Sequence, residues 1–303
     1  MQVSSAMFDV IVIGGGPAGL SAALMLGRCR RRVLVCDAGR PRNRRSHALH
    51  GYLTRDGIAP ASLTRLGRAE LGQYGIQFRP LGATAVRRLP DRFHVALADG
   101  ARVAARFLLI ATGMTDELPA IRGFEQCYGR SVFHCPYCDG WEWRDRPLAV
   151  FGRGEQGAQL ALGLTTWSAD VVLCSHDGPL GAALRARLAR NRVDVRTTPI
   201  ARLEHDRGKL SAIRFANGER LPRAALFFQT APRHQSDLAA RLGCGLTRRG
   251  AVRTGTLCDT NVPGVFVAGD ASRDAQFVVV AAGEGVKAAV AINRALQRRE
   301  AVA

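Results

Sequence analysis

Cys135 and Cys138 are separated only by Pro136 and Tyr137, and Asp139 and Gly140 follow at once. A cysteine pair at this spacing either cycles between dithiol and disulfide or supplies two ligands to a metal. Zinc needs four ligands, and no second pair stands at a suitable distance along the chain. Cys127 and His134 could complete such a site only irregularly, so no metal is expected. The other cysteines are Cys29, Cys36, Cys127, Cys174, Cys244 and Cys258. They are scattered, several of them inside apolar runs where cysteine serves as a small core residue. The thiolate is the reactive form of the pair. A helix starting at the pair would favour that anion, and Pro136 suits a first helical turn because it has no N–H to leave unsatisfied.

The elements that must position the pair are legible in the glycines. Residues 8–13 form an apolar run broken only by Asp9, read as a buried parallel strand. Gly14, Gly16 and Gly19 follow, then a helix over 20–26, a strand over 32–36 and Asp37. This order is that of a dinucleotide-binding fold. Gly14 makes the tight turn, Gly16 lets the backbone approach a pyrophosphate, and Gly19 allows close helix–strand packing. The diphosphate would rest on the helix N-terminus, with Asp37 accepting ribose hydroxyls. A second copy begins with a strand over 147–151 and the triplet Gly152, Gly154 and Gly157. A helix over 158–165 and a strand over 169–174 complete it. Two such folds imply two nucleotides, or one nucleotide and a vestige. Near the end, a short strand closes on Gly269 and Asp270, and a helix carrying Gly283 and Gly285 follows. Asp270 is placed to bind sugar hydroxyls of a dinucleotide held by the first fold; alone, it would read as a helix-capping aspartate.

The fold class is therefore α/β, with two Rossmann-like dinucleotide-binding domains, the second inserted into the first. Strand-like runs at 107–111 and 225–228 precede the crossings, near Pro119 and near Ala231-Pro232. Residues 1–118 and 231–303 form the outer domain, and 119–230 the inserted domain that carries the cysteine pair.

Hydrophobic residues make up 47% of the 303, a globular composition. The formal charge of +18 raises nucleic acid as a partner, but the arginines that carry it are dispersed and no nucleic-acid partner is expected. A basic surface would instead steer acidic partners or anionic cofactors. The best candidate for a membrane span, the stretch after Gln276, is interrupted by Glu284 and Lys287, so no membrane span is expected. Residues 1–8 do not read as a secretory signal, and a cytoplasmic location is the default.

The order of first glycine turn, Ala111-Thr112-Gly113, Cys135-Pro136-Tyr137-Cys138-Asp139-Gly140, second triplet and terminal Gly269-Asp270 resembles the low-molecular-weight thioredoxin reductases, members of the FAD/NAD(P)-dependent pyridine nucleotide-disulfide oxidoreductases. The resemblance covers nearly the whole chain. It implies FAD in the first fold, NADPH or NADH in the second, a homodimer, and a domain rotation that shows the flavin alternately to nicotinamide and disulfide. It also implies that Cys138 is the flavin-proximal sulfur, Cys135 the sulfur that exchanges with substrate, and Asp139 the acid–base group. His134, beside Cys135, and His50 are further acid–base candidates. The plainer readings are a helix cap for Asp139, ordinary histidines at His47, His50 and His134, and packing for Trp141 and Trp143.

Three departures from that family matter. Its His-Arg-Arg-x-x-x-Arg stretch, which grips the 2′-phosphate of NADPH, is replaced by Ser175-His176-Asp177, with Gly181 at the last arginine's place. NADH, or no pyridine nucleotide, then stands beside NADPH, because an aspartate repels phosphate. The family's Arg-Gln-Ala is replaced by Gln276-Phe277-Val278. The segment after Asp37 contains Arg42, Asn43, His47, His50 and Asp56 where a Gly-Gly-Gln stretch is usual, and is similar to the dithiol oxidases of disulfide natural products. Those enzymes pass electrons from a substrate dithiol through FAD to oxygen. The intact second triplet favours a reductase acting on a thioredoxin-like protein or a small dithiol/disulfide; the departures favour an NAD(P)H-independent dithiol oxidase. A non-catalytic flavin redox sensor or nucleic-acid-binding protein is the alternative of another class. The reductase takes precedence, because a triplet with its helix and strand intact indicates retained nucleotide binding.

Overall fold

The computed structural model describes residues 7–229, 231–272 and 275–301. The expectation placed on the first six residues, and the domain ends at 230 and 303, lie outside them.

The chain folds as two compact units. The first comprises residues up to Arg44, Pro60–Thr115, and Pro232 onward. Its sheet is built outward from Phe8–Ile13, which pairs in parallel with Val33–Cys36 on one side and with Arg102–Ile110 on the other. Gln77–Arg79 extends the parallel edge. The long strand Arg102–Ile110 changes neighbour along its length: its start pairs antiparallel with Phe93–Leu97, and its end pairs in parallel with Val265–Val267. Both faces of this sheet are covered, which is why the central strands are apolar on both faces over 10–13, 33–36 and 107–110. Val10, Val12, Val35 and Leu109 meet helices Pro17–Arg28 and Val278–Ala301 through Ala22, Leu26, Ala288 and Ile292. Ile11, Ile13, Leu34 and Ile110 pack on the other face against Leu238, Val252 and Val262. The two helices cross closely: a Cβ on Gly285 would run into the Ala18 carbonyl.

The second unit comprises Asp116–Ala231 together with Arg45–Ala59. Its five-stranded sheet centres on Leu148–Phe151, parallel to Val171–Cys174 and to Ala225–Phe228. Helix Gly154–Leu164 covers one face through Ala158, Ala161 and Leu164. The antiparallel strands Ile200–Asp206 and Lys209–Phe215 cover the other through Leu203, Ile213 and Phe215. Residues 45–59, which the sequence reading leaves in the outer domain, fold with this unit. Backbone bonds from Leu49 to Ile58 and from Gly57 to Leu49 close the segment on itself. Arg45 then ties it down through a bidentate grip on Glu125, on its carbonyl at 2.8 Å and its carboxylate at 2.5 Å. Nothing in its hydrophobic pattern reports such a loop, which is built from backbone bonds.

Among the described residues, no helix is long and apolar enough to cross a membrane.

Candidate active site

Cys135 and Cys138 are joined as a disulfide. Cys135 is extended (φ −122°, ψ 107°) and caps the helix Pro136–Asp139, with Pro136 at its first position. The amides of Cys138 and Asp139 both donate to the Cys135 carbonyl, at 3.2 and 3.3 Å. This helix is a single turn, so the support its dipole lends a thiolate is small. Gly140 is obligatory: a Cβ there would lie 2.5 Å from the Pro136 carbonyl oxygen and 2.8 Å from the Trp167 ring. Both sulfur-bearing residues are half-buried, while Tyr137 between them is 77% exposed and Trp141 63% exposed. Trp143 packs on Phe133 as expected. Trp141 does not bury its ring; the Arg144 guanidinium lies 4.0 Å over it.

The remaining cysteines behave as core residues. Cys36, Cys127, Cys174, Cys244 and Cys258 are buried and Cys29 is partly so. Burial pushes the Cys36 and Cys174 thiols up to about 12, which silences them as nucleophiles.

Two sets of titratable groups flank the pair in this unit. On one side, burial first and the Glu142 carboxylate second push the Asp139 carboxyl up to about 7, with His50 opposing. His50 faces two carboxylates, Asp56 from Nδ1 and Glu142 from Nε2, each at 3.5 Å. On the other side, His134 Nδ1 lies 4.0 Å from Asp116, whose carboxylate also accepts from the Tyr128 hydroxyl at 2.5 Å. His47 is exposed. The structure thus brings Asp139, Glu142 and His50 together and holds His134 on a separate carboxylate.

The first unit contains the glycine turn. Gly14 has φ +112°, and a Cβ on it would run into the Ala111 carbonyl; one on Gly19 would run into the Gly14 carbonyl. A Cβ on Gly16 would meet nothing within 4 Å. The outer two glycines are thus consumed by packing, while the middle one presents bare backbone at the start of helix Pro17–Arg28. A pyrophosphate fits that cradle. Asp37 accepts from Arg68 at 2.5 Å, and the guanidinium in turn stacks 4.3 Å over Phe78. Asp270 pairs with Arg42 at 3.2 Å, and Arg42 also donates to Gln276. The departures at Arg42 and Gln276 are therefore one cluster around the terminal aspartate. Sequence reasoning missed Glu284, noted only as an interruption of an apolar stretch. Its carboxylate is 6% exposed as a residue and accepts from the Gly269 amide at 2.7 Å and the Ser272 hydroxyl at 3.3 Å. It fixes the strand end from which Asp270 projects. A carboxylate inside an alanine-rich helix was the available signal.

The second glycine turn is built alike. Gly152 and Gly157 press together, a Cβ on Gly152 lying 2.7 Å from the Gly157 Cα, whereas a Cβ on Gly154 (φ +54°) would meet nothing. At the end of Val171–Cys174, His176 and Asp177 are left-handed (φ +50° and +58°). His176 turns inward, its Nδ1 accepting from the Ile200 amide at 3.0 Å and its ring edge-on to Phe151. Burial first and the neighbouring Arg153 charge second hold it below its usual value, so it is a neutral acceptor.

Paired nucleotide-binding folds with a redox disulfide on the inserted one define a flavin-dependent disulfide oxidoreductase, an enzyme of the thioredoxin-reductase type. The chain belongs to the pyridine nucleotide-disulphide oxidoreductase family, which matches residues 8–285. It is 28% identical to a probable thioredoxin reductase of Arthroderma benhamiae over 98% of this chain and 82% of that one. The crystal structure of HlmI superposes with a TM-score of 0.96 at 36% identity, covering 99% of this chain and 96% of HlmI. A putative thioredoxin reductase TrxB from Bacillus anthracis gives 0.93 at 31% identity, over 97% and 99% of the two chains.

Proposed function

We propose that the chain is a disulfide reductase in which electrons from NAD(P)H reach the Cys135–Cys138 disulfide by way of FAD. They leave to a thioredoxin-like protein or a small disulfide. The observation that supports this most is the half-exposed pair beside Asp139, whose carboxyl burial pushes up to about 7. FAD, when bound, supplies the two-electron carrier. Gly14, Gly16 and Gly19 would hold its diphosphate, and Asp37 and Asp270 its sugar hydroxyls. Gly152, Gly154 and Gly157 would hold the pyridine nucleotide.

Opening the pair consumes two electrons and two protons. Asp139, next to Cys138, is suited to give a proton to a departing thiolate and to retrieve it when the disulfide re-forms. We assign Cys138 as the sulfur toward the flavin and Cys135 as the sulfur that exchanges with substrate. The inward-turned His176 and the anionic Asp177 favour NADH over NADPH, since neither offers a 2′-phosphate a bidentate grip. The family resemblance further supports a homodimer.

The same loop supports a second reading, a dithiol oxidase that returns electrons to oxygen and needs no pyridine nucleotide. The histidine-bearing segment 45–59, folded against the unit that carries the pair, also favours it. Anaerobic titration of the flavin separates the two. The reductase reading expects NADH to bleach the absorbance within seconds. Bleaching by a dithiol, with neither NADH nor NADPH effective, replaces it with the oxidase.

A further inference from the structure

We propose that His50 is a proton-positioning residue of the Cys135–Cys138 site, passing protons between solvent and Asp139 by way of Glu142. The inference rests on the reading that Asp139 manages the thiol proton.

His50 sits on the one stretch of chain that leaves its sequence neighbours to fold with the cysteine-bearing unit. Leu49 is buried and anchors it, and the Gly51 amide donates to Asp56 at 2.8 Å, which curls the loop around the imidazole. The side chain is only 21% exposed. Its two ring nitrogens address different surroundings. Nδ1 faces Asp56, which is largely in solvent, and Nε2 faces Glu142, on the short turn Trp141–Trp143 that directly follows Asp139 and Gly140. An imidazole with one nitrogen toward a carboxylate 69% exposed and the other toward one 37% exposed can take a proton on one edge and release it from the other. Asp139 is served by such a route, because the partial burial that raises its proton affinity also narrows its access to water. Among the described residues, the charged groups facing this cluster are Asp56, Glu142 and Asp139 itself. Arg144 is held over Trp141 and bonds the Trp141 carbonyl, while His134 is held on Asp116.

The proton balance is closed. Opening the disulfide takes up two protons. The half-exposed Cys135 takes one from solvent or from the incoming dithiol. Asp139 gives the other to Cys138, His50 in its imidazolium form restores that one through Glu142, and solvent recharges the ring. Oxidation of the pair runs the same path in reverse. No oxidant or reductant is needed beyond the electron donor and acceptor of the reaction itself.

The plain alternative is a loop clasp, for which glutamine would serve as well as histidine. The test is stopped-flow reduction of the FAD-loaded enzyme by dithiothreitol, followed by flavin absorbance between pH 6 and 9, with H50Q and D139N. H50Q should slow the reaction about tenfold at neutral pH, small beside the effect of a direct acid–base group. It should also move the alkaline limb upward, because the cation that favours ionised Asp139 is gone, and imidazole in the buffer should restore the rate. An unchanged rate and limb in H50Q, with D139N losing the limb, overturns the role of His50 alone. An unchanged limb in D139N removes the Asp139 reading and this proposal with it. Should H50Q lose its flavin, E142Q reads the same path, and its limb should move to lower pH; a limb that stays in place refutes the relay.

Discussion

Asp139 shows how one carboxyl links stability to chemistry. Its proton affinity is raised from 3.8 to about 7, so the folded state binds the proton more tightly than the unfolded chain. Its stabilising contribution is whole below pH 3.8 and is lost as pH climbs through 7. Asp139→Asn, which cannot ionise, should therefore be more stable than the parent at pH 8 by about 1–2 kcal/mol once partial exposure is discounted, and nearly equal at pH 4. Calorimetry at the two values checks this, and equal stabilities at pH 8 would show the carboxyl to be solvated. The spacing of Cys135 and Cys138 was legible because thiol exchange demands two sulfurs in close reach. The partners of Asp139 were only half legible. Glu142 lies three residues on, but His50 is brought in from far along the chain by backbone bonds that leave no periodic trace.

Among the elements, the strand–turn–helix units were the most legible, because their glycines answer steric demands that no other residue meets. The structure divides those demands in a testable way. Gly19→Ala should fail to fold or to hold flavin, because its Cβ collides with the Gly14 carbonyl. Gly16→Ala meets no such obstacle, so it should fold with parental helicity and lose flavin affinity alone. Circular dichroism with flavin content separates the two, and full flavin loading in Gly16→Ala would place the diphosphate elsewhere. Less was legible where an element's end is shaped by a distant side chain. The strand Val265–Val267 leads into Gly269, whose amide is satisfied by Glu284 from the helix Val278–Ala301. Asp37 likewise waits on Arg68. Such pairings join residues whose charges are common along this arginine-rich chain, and spacing alone does not choose between them.

At the scale of the molecule, the excess of arginine is partly absorbed in networks. Arg214 and Arg220 converge on Glu204, and Arg31 and Arg106 converge on Glu300. The remaining positive charge still makes a field that favours acidic partners. Reduction of an acidic thioredoxin-like protein should therefore slow several-fold between about 50 and 500 mM salt, while that of a neutral small disulfide should not. Equal salt dependence would show that the field does not guide the substrate. The migration of residues 45–59 carries a further consequence. The polypeptide passes from one unit to the other four times, where a simple insertion would need two passages. The cysteine-bearing module is thus not a single cassette. Recombination or engineering that transplants 116–231 alone leaves behind the histidine loop, and a hybrid built that way inherits the sulfur couple without its neighbouring imidazole.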